Sequence, residues 1–237
     1  PTIGVFAETG RFSLLIRQQI STLNYWARLA KLPDYDILNK CLKIQEILHT
    51  HGQDNYYSKV KHIIDYSEIT DWSTKDPEKL VNEMRLKLYK KEQNRIINAI
   101  HDSEVNPKLR TYKIFKTNYS FETYLNLNLP KKTYSNIARF RISSHNLKIE
   151  KGRHETPKVR LEERICENCN NNDVEDEFHC LLICIANNVP RIELNKELSK
   201  YISDFNNLTP TEQFQAIMSS KEAGVINALG IFLNHVL

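Results

Sequence analysis

Glycine and proline are scarce in this chain, which has 6 Gly and 8 Pro among its 237 residues. Both residues disfavour helix interiors, so their scarcity, together with abundant Leu, Ile, Lys and Glu, predicts a mainly α-helical protein. Long apolar runs are lacking as well. No run approaches the ~18 residues of a membrane span, and no basic-then-apolar N-terminal segment suggests a secretory signal. We therefore expect no membrane partner.

Recognisable catalytic motifs are also missing. The sequence contains no P-loop, no Gly-rich dinucleotide turn and no nucleophile elbow. Asp34 with Asp36 and Asp173 with Asp176 are paired carboxylates, but carboxylates near turns commonly act as caps. We predict that this chain is not itself an enzyme.

Cysteine is unevenly distributed. Four of the five cysteines lie between positions 166 and 184, in the stretch ICENCNNNDVEDEFHCLLIC, while Cys41 is far away. Cys166, Cys169, His179 and Cys184 form a C-x2-C, nine residues, then H-x4-C, a spacing typical of a four-ligand zinc site. Free cysteines are common core residues, but the clustering and the spacing together favour one structural Zn2+ per chain.

The fourth ligand has an alternative on residue spacing alone. Cys180 and Cys184 are four apart and would share one face of a regular helix, so an all-cysteine site is geometrically reasonable. His179 and Cys184 are five apart, which fits a regular helix less well. Both ligand sets remain open at this point.

Apolar periodicity and end signals predict most of the helices. Asp76-Pro77 has Asp as N-cap and Pro at the first helical position, and Thr209 with Glu212 forms a capping box. The predicted helices cover residues 13–32, 37–49, 77 to beyond 100, 131–143, 189–202, from 210 onward and 221–237, and at most a short strand pair is expected, at 147–149 and 159–161.

A domain boundary is predicted at Leu129-Pro130, where the helical pattern breaks. We expect a helical N-terminal region at residues 1–128. Residues 129–237 would then hold a basic segment, the zinc module and the C-terminal helices.

Positive charge is concentrated just before the cysteines. Residues 129–165 carry ten Lys and Arg side chains against four Glu, although the net charge of the whole chain is only +4. Lys and Arg neutralise phosphates and release counterions, so a basic segment beside a zinc module favours nucleic-acid binding. Arg139 and Arg141 are two apart and do not share a helix face, so one of them is expected to pair internally, for instance with a carboxylate of the zinc loop. The candidate contacts are Arg139, Arg141, Lys148, Lys151, Arg153, Lys158 and Arg160.

The zinc loop itself is acidic, with Glu167, Asp173, Glu175, Asp176 and Glu177. These carboxylates would repel phosphate, which leaves two interpretations. In the first, the loop neutralises nearby arginines and leaves phosphate contacts to the upstream segment. In the second, the module is a structural clamp without a nucleic-acid face.

Three stretches carry a family resemblance: RFRISSHNLKIEKGRH, RLEERICENC and VEDEFHCLLIC. They resemble the region that follows the polymerase domain in the polyproteins of animal non-LTR retrotransposons, where a Cys-Cys-His-Cys motif is preceded by basic residues. The likeness extends through LRTYKIFKTNYSFETYL and more weakly to AETGRFSLLIRQQISTLNYWARL. It favours His179 over Cys180 as the fourth ligand, with Cys180 packed as a small hydrophobe.

The resemblance implies a nucleic-acid-binding accessory region of a reverse transcriptase polyprotein, or a host protein derived from one. RNA or DNA would be the partner, with the neighbouring polymerase domain as a second. The paired aspartates of a polymerase site are absent, so polymerase chemistry would belong to a preceding domain, and the chain is expected to be a piece of something larger. The alternative is a zinc-stabilised helical scaffold for protein–protein interaction. Reduced thiolates favour nucleus or cytoplasm.

Overall fold

In a computed structural model, which describes residues 2–237, the chain is mainly helical, as the sequence predicts. The α-helices are α1 (Thr2–Thr9), α2 (Leu14–Ala30), α3 (Ile37–Thr50), α4 (Tyr56–Ser67), α5 (Pro77–His101), α6 (Tyr112–Phe115), α7 (Lys131–Arg141), α8 (Lys148–Lys151), α9 (Asn188–Leu198), α10 (Pro210–Ser219) and α11 (Ala223–Val236). Short 3-10 helices lie at Trp72–Thr74, Pro107–Leu109, Thr123–Asn126, Leu161–Glu163, Ile185–Asn187 and Phe205–Asn207.

The helix ends follow the sequence signals closely. Asp76 caps α5 by accepting hydrogen bonds from the Glu78 and Lys79 amides. Thr209 and Glu212 form the predicted capping box of α10. Helix α4 was not predicted, because its capping box pairs Asn55 with a serine instead of the usual Glu or Gln at the third position.

The sequence allows at most one short strand pair, and neither of its strands forms. Within residues 2–237 there is no β-strand, and the one bridge joins Ile165 and Val174. The first expected strand is helix α8, because the amides of Glu150 and Lys151 bond back to the Leu147 carbonyl and close a helical turn instead of a ladder. The second expected strand overlaps the 3-10 helix that begins at Leu161.

Two compact units divide the chain. The smaller unit, Arg11–Arg95, contains α2, α3, α4 and most of α5. Its core is mainly aliphatic, with Leu23, Val60, Ile64, Leu80 and Met84 fully buried, because each helix presents apolar residues at helical spacing to the others.

The larger unit is discontinuous in sequence, comprising residues 1–10 and Ile96–Leu237. The predicted boundary at Leu129-Pro130 lies inside this unit, whereas the contacts separate the units at residues 10/11 and 95/96. The reason is packing across the predicted boundary: Tyr112 and Phe115 share one buried cluster with Ile137 and Phe140. A proline break ends a helix but says nothing about what packs on either side of it.

Helix α1 is held in the larger unit by buried ion pairs. Arg141 donates from Nε to Glu8 Oε2 at 2.9 Å and from Nη2 to Glu122 Oε2 at 2.7 Å, and Nη1 donates to the Met218 carbonyl. The Tyr112 hydroxyl donates to Glu8 Oε1 at 2.7 Å. These bonds tie segments over 130 residues apart in sequence into one core.

In the part of the chain that the structure describes, no single helix is long and apolar enough to cross a membrane. Within residues 2–237, α10 and α11 taken together have the length and apolar composition of a membrane span, but a bend of 108° separates the two helices.

Candidate metal centre and its basic surroundings

Two of the four candidate ligands come from a tight turn. Cys166 and Cys169 lie in a loop closed by the Ile165–Val174 bridge. The Cys166 amide donates to the Asp173 carbonyl at 2.9 Å, which fixes the base of the loop. Both side chains are buried, so the C-x2-C turn directs two thiols to the same side, as the spacing predicts.

The other two ligands come from a π-helical turn, His179–Ile183. Its closing hydrogen bond runs from the Cys184 amide to the His179 carbonyl at 2.8 Å, a bond between residues five apart. A regular α-helix would rotate these residues onto different faces, whereas the wider π-turn brings them together. Asp176 caps the start of the turn by accepting the His179 amide at 2.8 Å.

The four candidate ligands converge on one point. Cys166, Cys169, His179 and Cys184 are all buried, and their ligand atoms lie within 4.8 Å of one another. The Sγ atoms of Cys166 and Cys184 are 3.8 Å apart, and the Cys169 Sγ is 3.4 Å from the His179 Nε2. This arrangement is compatible with a metal site.

Cys180 is not part of this group. Its side chain is buried in the main apolar cluster, and its Sγ accepts a hydrogen bond from Asn187 Nδ2 at 3.6 Å. Burial raises the pKa of the Cys180 thiol, so it stays protonated. The geometry thus groups His179, and not Cys180, with the thiols of Cys166, Cys169 and Cys184.

Burial also raises the pKa of Cys166, to about 12. Its neighbours add to this effect, because Cys169 and Cys184 lie beside it. A thiol in this state is a poor ligand until a cation displaces its proton, so metal binding here must release protons.

The imidazole of His179 has one nitrogen facing the thiols and one facing away. Its Nδ1 is buried without a hydrogen-bond partner in the described structure, and the Asp173 Oδ2 lies 3.6 Å from it. A carboxylate in this position orients a ligating imidazole and raises its basicity. Asp173 lies in the direction of such a partner, but at 3.6 Å it does not hydrogen-bond to the ring.

Arg191 supports the turn that carries Cys184. Its Nε donates to the Leu181 carbonyl at 2.9 Å and its Nη2 to the Cys184 carbonyl at 2.5 Å. Carbonyls at the end of a helical turn lack partners within the helix, and this arginine satisfies two of them.

A fully buried carboxylate joins the loop to the rest of the unit. Glu177 accepts from His145 Nε2 at 2.8 Å and from Arg110 Nη2 at 3.0 Å. Burial alone would raise the pKa of Glu177, but the hydrogen bond from His145 and the charge of Arg110 lower it to about 2. This agrees with the first interpretation of the acidic loop, in which its carboxylates hold cations internally.

The basic segment folds back onto the same loop, where the Ile149 amide donates to the Glu175 carbonyl at 3.1 Å. Arg164 is buried and donates to the Ile149 carbonyl at 2.7 Å and to the Val159 carbonyl at 2.9 Å. Gly152 lies directly against this arginine, and a Cβ at that position would come within 2.8 Å of the arginine side chain. The close approach explains why glycine is required there.

The structure separates the two arginines of α7. Arg141 is buried and ion-paired in the core, so it is not available to a phosphate. The prediction that Arg141 contacts nucleic acid is therefore wrong. One of the pair was expected to bond internally, but its partners are Glu8 and Glu122, not carboxylates of the zinc loop. Arg139 is exposed and has no ion pair within residues 2–237.

The remaining candidate cations fall into two groups. Lys148 pairs with Glu155 and Glu167, Arg153 with the buried Glu150, and Arg160 with Glu163. Lys151 and Lys158 are exposed, and neither side chain has a hydrogen bond or ion pair to any described residue. Lys151 and Lys158 are therefore the two unpaired cations among these five described residues.

Four residues near the site were missed by sequence reasoning: Arg110, Arg191, Asp173 as a neighbour of His179, and Lys108, whose Nζ lies 3.3 Å from a carboxylate oxygen of the buried Glu150. Arg110 and Glu177 are 67 residues apart, and no local pattern signals such a contact. Asp173 offered a weak signal, because carboxylates next to metal-ligating histidines commonly bond the second ring nitrogen.

No protein-family model, curated protein or solved structure matches this chain.

Proposed function

We propose that this chain is a zinc-containing, nucleic-acid-binding accessory region of a retrotransposon-type reverse transcriptase polyprotein, or a host protein derived from one. The observation that carries the proposal is the buried cluster of Cys166, Cys169, His179 and Cys184 beside exposed cations of the basic segment. The resemblance of residues 109–184 to the retrotransposon region supports the same assignment.

The spacing of the ligand atoms favours zinc. Zn–S bonds of about 2.3 Å and Zn–N bonds of about 2.0–2.1 Å place tetrahedral ligand atoms about 3.8 Å apart for S···S and about 3.5 Å apart for S···N. The observed separations are 3.8 Å for Cys166 and Cys184 and 3.4 Å for Cys169 and His179. All four positions are filled by protein side chains, so the zinc would be structural and the chain non-catalytic. Its thiolates suit the reducing nucleus or cytoplasm.

The phosphate-binding surface would be the segment from Lys148 to Arg160. Lys151 and Lys158 would supply the main charges, because Lys148, Arg153 and Arg160 already hold carboxylates. Arg139 is a further exposed candidate on α7. Counterion release on phosphate binding makes the affinity strongly dependent on salt.

The test is a salt titration of nucleic-acid binding by fluorescence anisotropy, with single-stranded RNA, single-stranded DNA and duplex DNA as probes. The double variant Lys151→Gln with Lys158→Gln should bind more weakly, and its slope of log K against log salt should fall by about 0.7 per lost contact on a single strand or about 0.9 on a duplex. The matched control is Lys196→Gln with Lys221→Gln, which removes the same charge from exposed lysines elsewhere in the larger unit. Equal affinity and slope for the two double variants would contradict the proposal.

One observation favours the alternative scaffold function. A groove of about 480 Å³ lies between α9 and α11, and its apolar lining includes Val189, Leu194, Ala228, Ile231 and Phe232. Val189 and Ile231, which both line this groove, are 76% and 52% exposed, so the groove presents aliphatic surface to solvent. The partner would be the neighbouring polymerase domain. Absence of salt-dependent nucleic-acid binding, together with loss of polymerase binding in Val189→Asp, would favour this function.

A further inference from the structure

A cavity of about 430 Å³ opens on the larger unit beside the basic segment. Its lining includes Ser144 and Asn146, which follow α7, together with Lys151 and His154. Lys108 also lines it. The cavity is larger than a phosphate group, and its volume falls within the usual range of ligand sites.

Two carboxylates also line this cavity, and both are already neutralised. Glu150 is buried, and Arg110 Nη1 and Arg153 Nε contact its Oε1 at 3.0 and 3.2 Å. Lys108 Nζ lies 3.3 Å from its other oxygen. The second carboxylate, Glu155, pairs with a lysine of α8 at 3.2 Å. The cavity therefore presents little uncompensated negative charge.

The uncommitted groups of the cavity can all donate hydrogen bonds. Ser144, Asn146, Lys151 and His154 are exposed, and in the described chain none of their side chains has a hydrogen bond or an ion pair. A hydroxyl, an amide, an ammonium group and an imidazole thus face one space without partners. Donors of this kind, with one full positive charge among them, match an anion that has several acceptor oxygens.

We infer that this cavity binds a phosphate group of a nucleic-acid strand. Lys151 supplies the charge, and Ser144, Asn146 and His154 supply directed hydrogen bonds that fix the strand in place. This inference rests on the proposed nucleic-acid binding and names the point at which the strand is held. It adds Ser144 and Asn146, which precede α8, and His154, which follows it. Ser144 and Asn146 carry no charge and lie outside any basic pattern in the sequence.

The decisive variant is Asn146→Asp, compared with Asn227→Asp, which makes the same charge change on the exposed face of α11. A carboxylate facing a bound phosphate repels it, so Asn146→Asp should weaken binding of a mixed-sequence ten-nucleotide strand by tenfold or more. Asn227→Asp should change it by about twofold or less, because a distant surface charge is screened by salt. A second variant, Ser144→Ala with His154→Ala, should weaken binding while leaving the salt slope nearly unchanged, since it removes no fixed charge.

The outcomes separate the inference from the function on which it rests. If the wild-type protein shows salt-dependent binding but both cavity variants bind as the wild type does, the cavity inference is wrong and the proposed function stands. If the wild-type protein binds no nucleic acid, the proposed function fails first. Adenosine monophosphate serves as the second probe. If it saturates the cavity and the ten-nucleotide strand does not compete with it, the cavity binds a free nucleotide and the inferred strand binding is overturned. Circular dichroism and metal content of each variant should match the wild type.

Discussion

Arg139 and Arg141 are the same residue type in the same helix, yet their environments have nothing in common. Arg139 is exposed, whereas Arg141 is buried between Glu8 and Glu122 and lies over the rings of Phe115 and Tyr124. Attraction from its two carboxylates outweighs the burial of Arg141 and raises its pKa. A buried ion pair of this kind adds little net stability, but removing one partner leaves the other charges buried and unpaired.

Arg141→Met should therefore lower the free energy of unfolding by about 3–5 kcal/mol, because Glu8 and Glu122 lose their cation. Arg139→Met should change it by about 0.5 kcal/mol or less, as expected for an exposed residue without partners. Urea denaturation of both variants measures the difference. Similar midpoints for the two variants would mean that Arg141 is not the centre of this network.

A second comparison concerns neighbouring residues of the metal centre. His179→Ala should abolish stoichiometric metal binding, because Nε2 faces the thiols. Cys180→Ala should retain it, because the Cys180 side chain packs in the apolar cluster and bonds Asn187 instead. Elemental analysis after purification without chelator gives the metal content of each variant. Metal retained in His179→Ala and lost in Cys180→Ala would show that all four ligands are thiolates.

At the scale of elements, the metal centre consists of two pieces with few interactions of their own. The loop from Cys166 to Asp176 has one bridge, and the π-turn has poorer backbone geometry than an α-helix. The three cysteines form a small buried cluster by themselves, and the π-turn reaches the main apolar cluster through Cys180 and Leu181. Their order therefore depends on the bound ion and on contacts such as those of Glu177 and Arg191.

Chelation should accordingly unfold residues 164–186 while the smaller unit, residues 11–95, keeps its helices. Metal binding at such a site is local folding energy, and the smaller unit has its own buried core. Hydrogen–deuterium exchange with and without chelator would map the loss of protection. Uniform loss along the whole chain, or no loss near the cysteines, would contradict this prediction.

At the scale of the whole molecule, the larger unit is interrupted by the smaller one. The two ends of the smaller unit lie near each other, because Ser13 hydrogen-bonds to the Glu92 carboxylate. A compact insertion with adjacent ends can be removed without stretching the chain that hosts it.

A chain in which residues 11–95 are replaced by a short Gly/Ser linker should fold and retain its metal. A fragment of residues 129–237 should not, because it leaves Arg141 without Glu8 and Glu122, and leaves Glu177 without Arg110. Solubility, cooperative thermal unfolding and metal content distinguish the two fragments. A folded 129–237 fragment would restore the boundary at Leu129-Pro130 that the sequence predicts.

The sequence by itself determined the features that depend on short-range spacing. Helical class, most helix bounds, the caps at Asp76 and Thr209 and the cluster of candidate ligands follow from residues within a few positions of one another. Capping, periodicity and C-x2-C turns depend on interactions between residues close in sequence, so they can be predicted from the sequence alone. The fourth ligand was harder, because its five-residue spacing fits only once the helix widens into a π-turn.

Only the tertiary structure decided which charges are free and which segments belong together. Lys and Arg look alike in a sequence, yet Arg141 is buried by carboxylates 133 and 19 residues away, while Lys151 stays unpaired. The domain boundary, the support of Glu177 by Arg110 and the donor-lined cavity depend likewise on contacts between distant segments. Such contacts depend on how the apolar faces of the helices pack together, because packing decides which charges are buried and therefore need a partner.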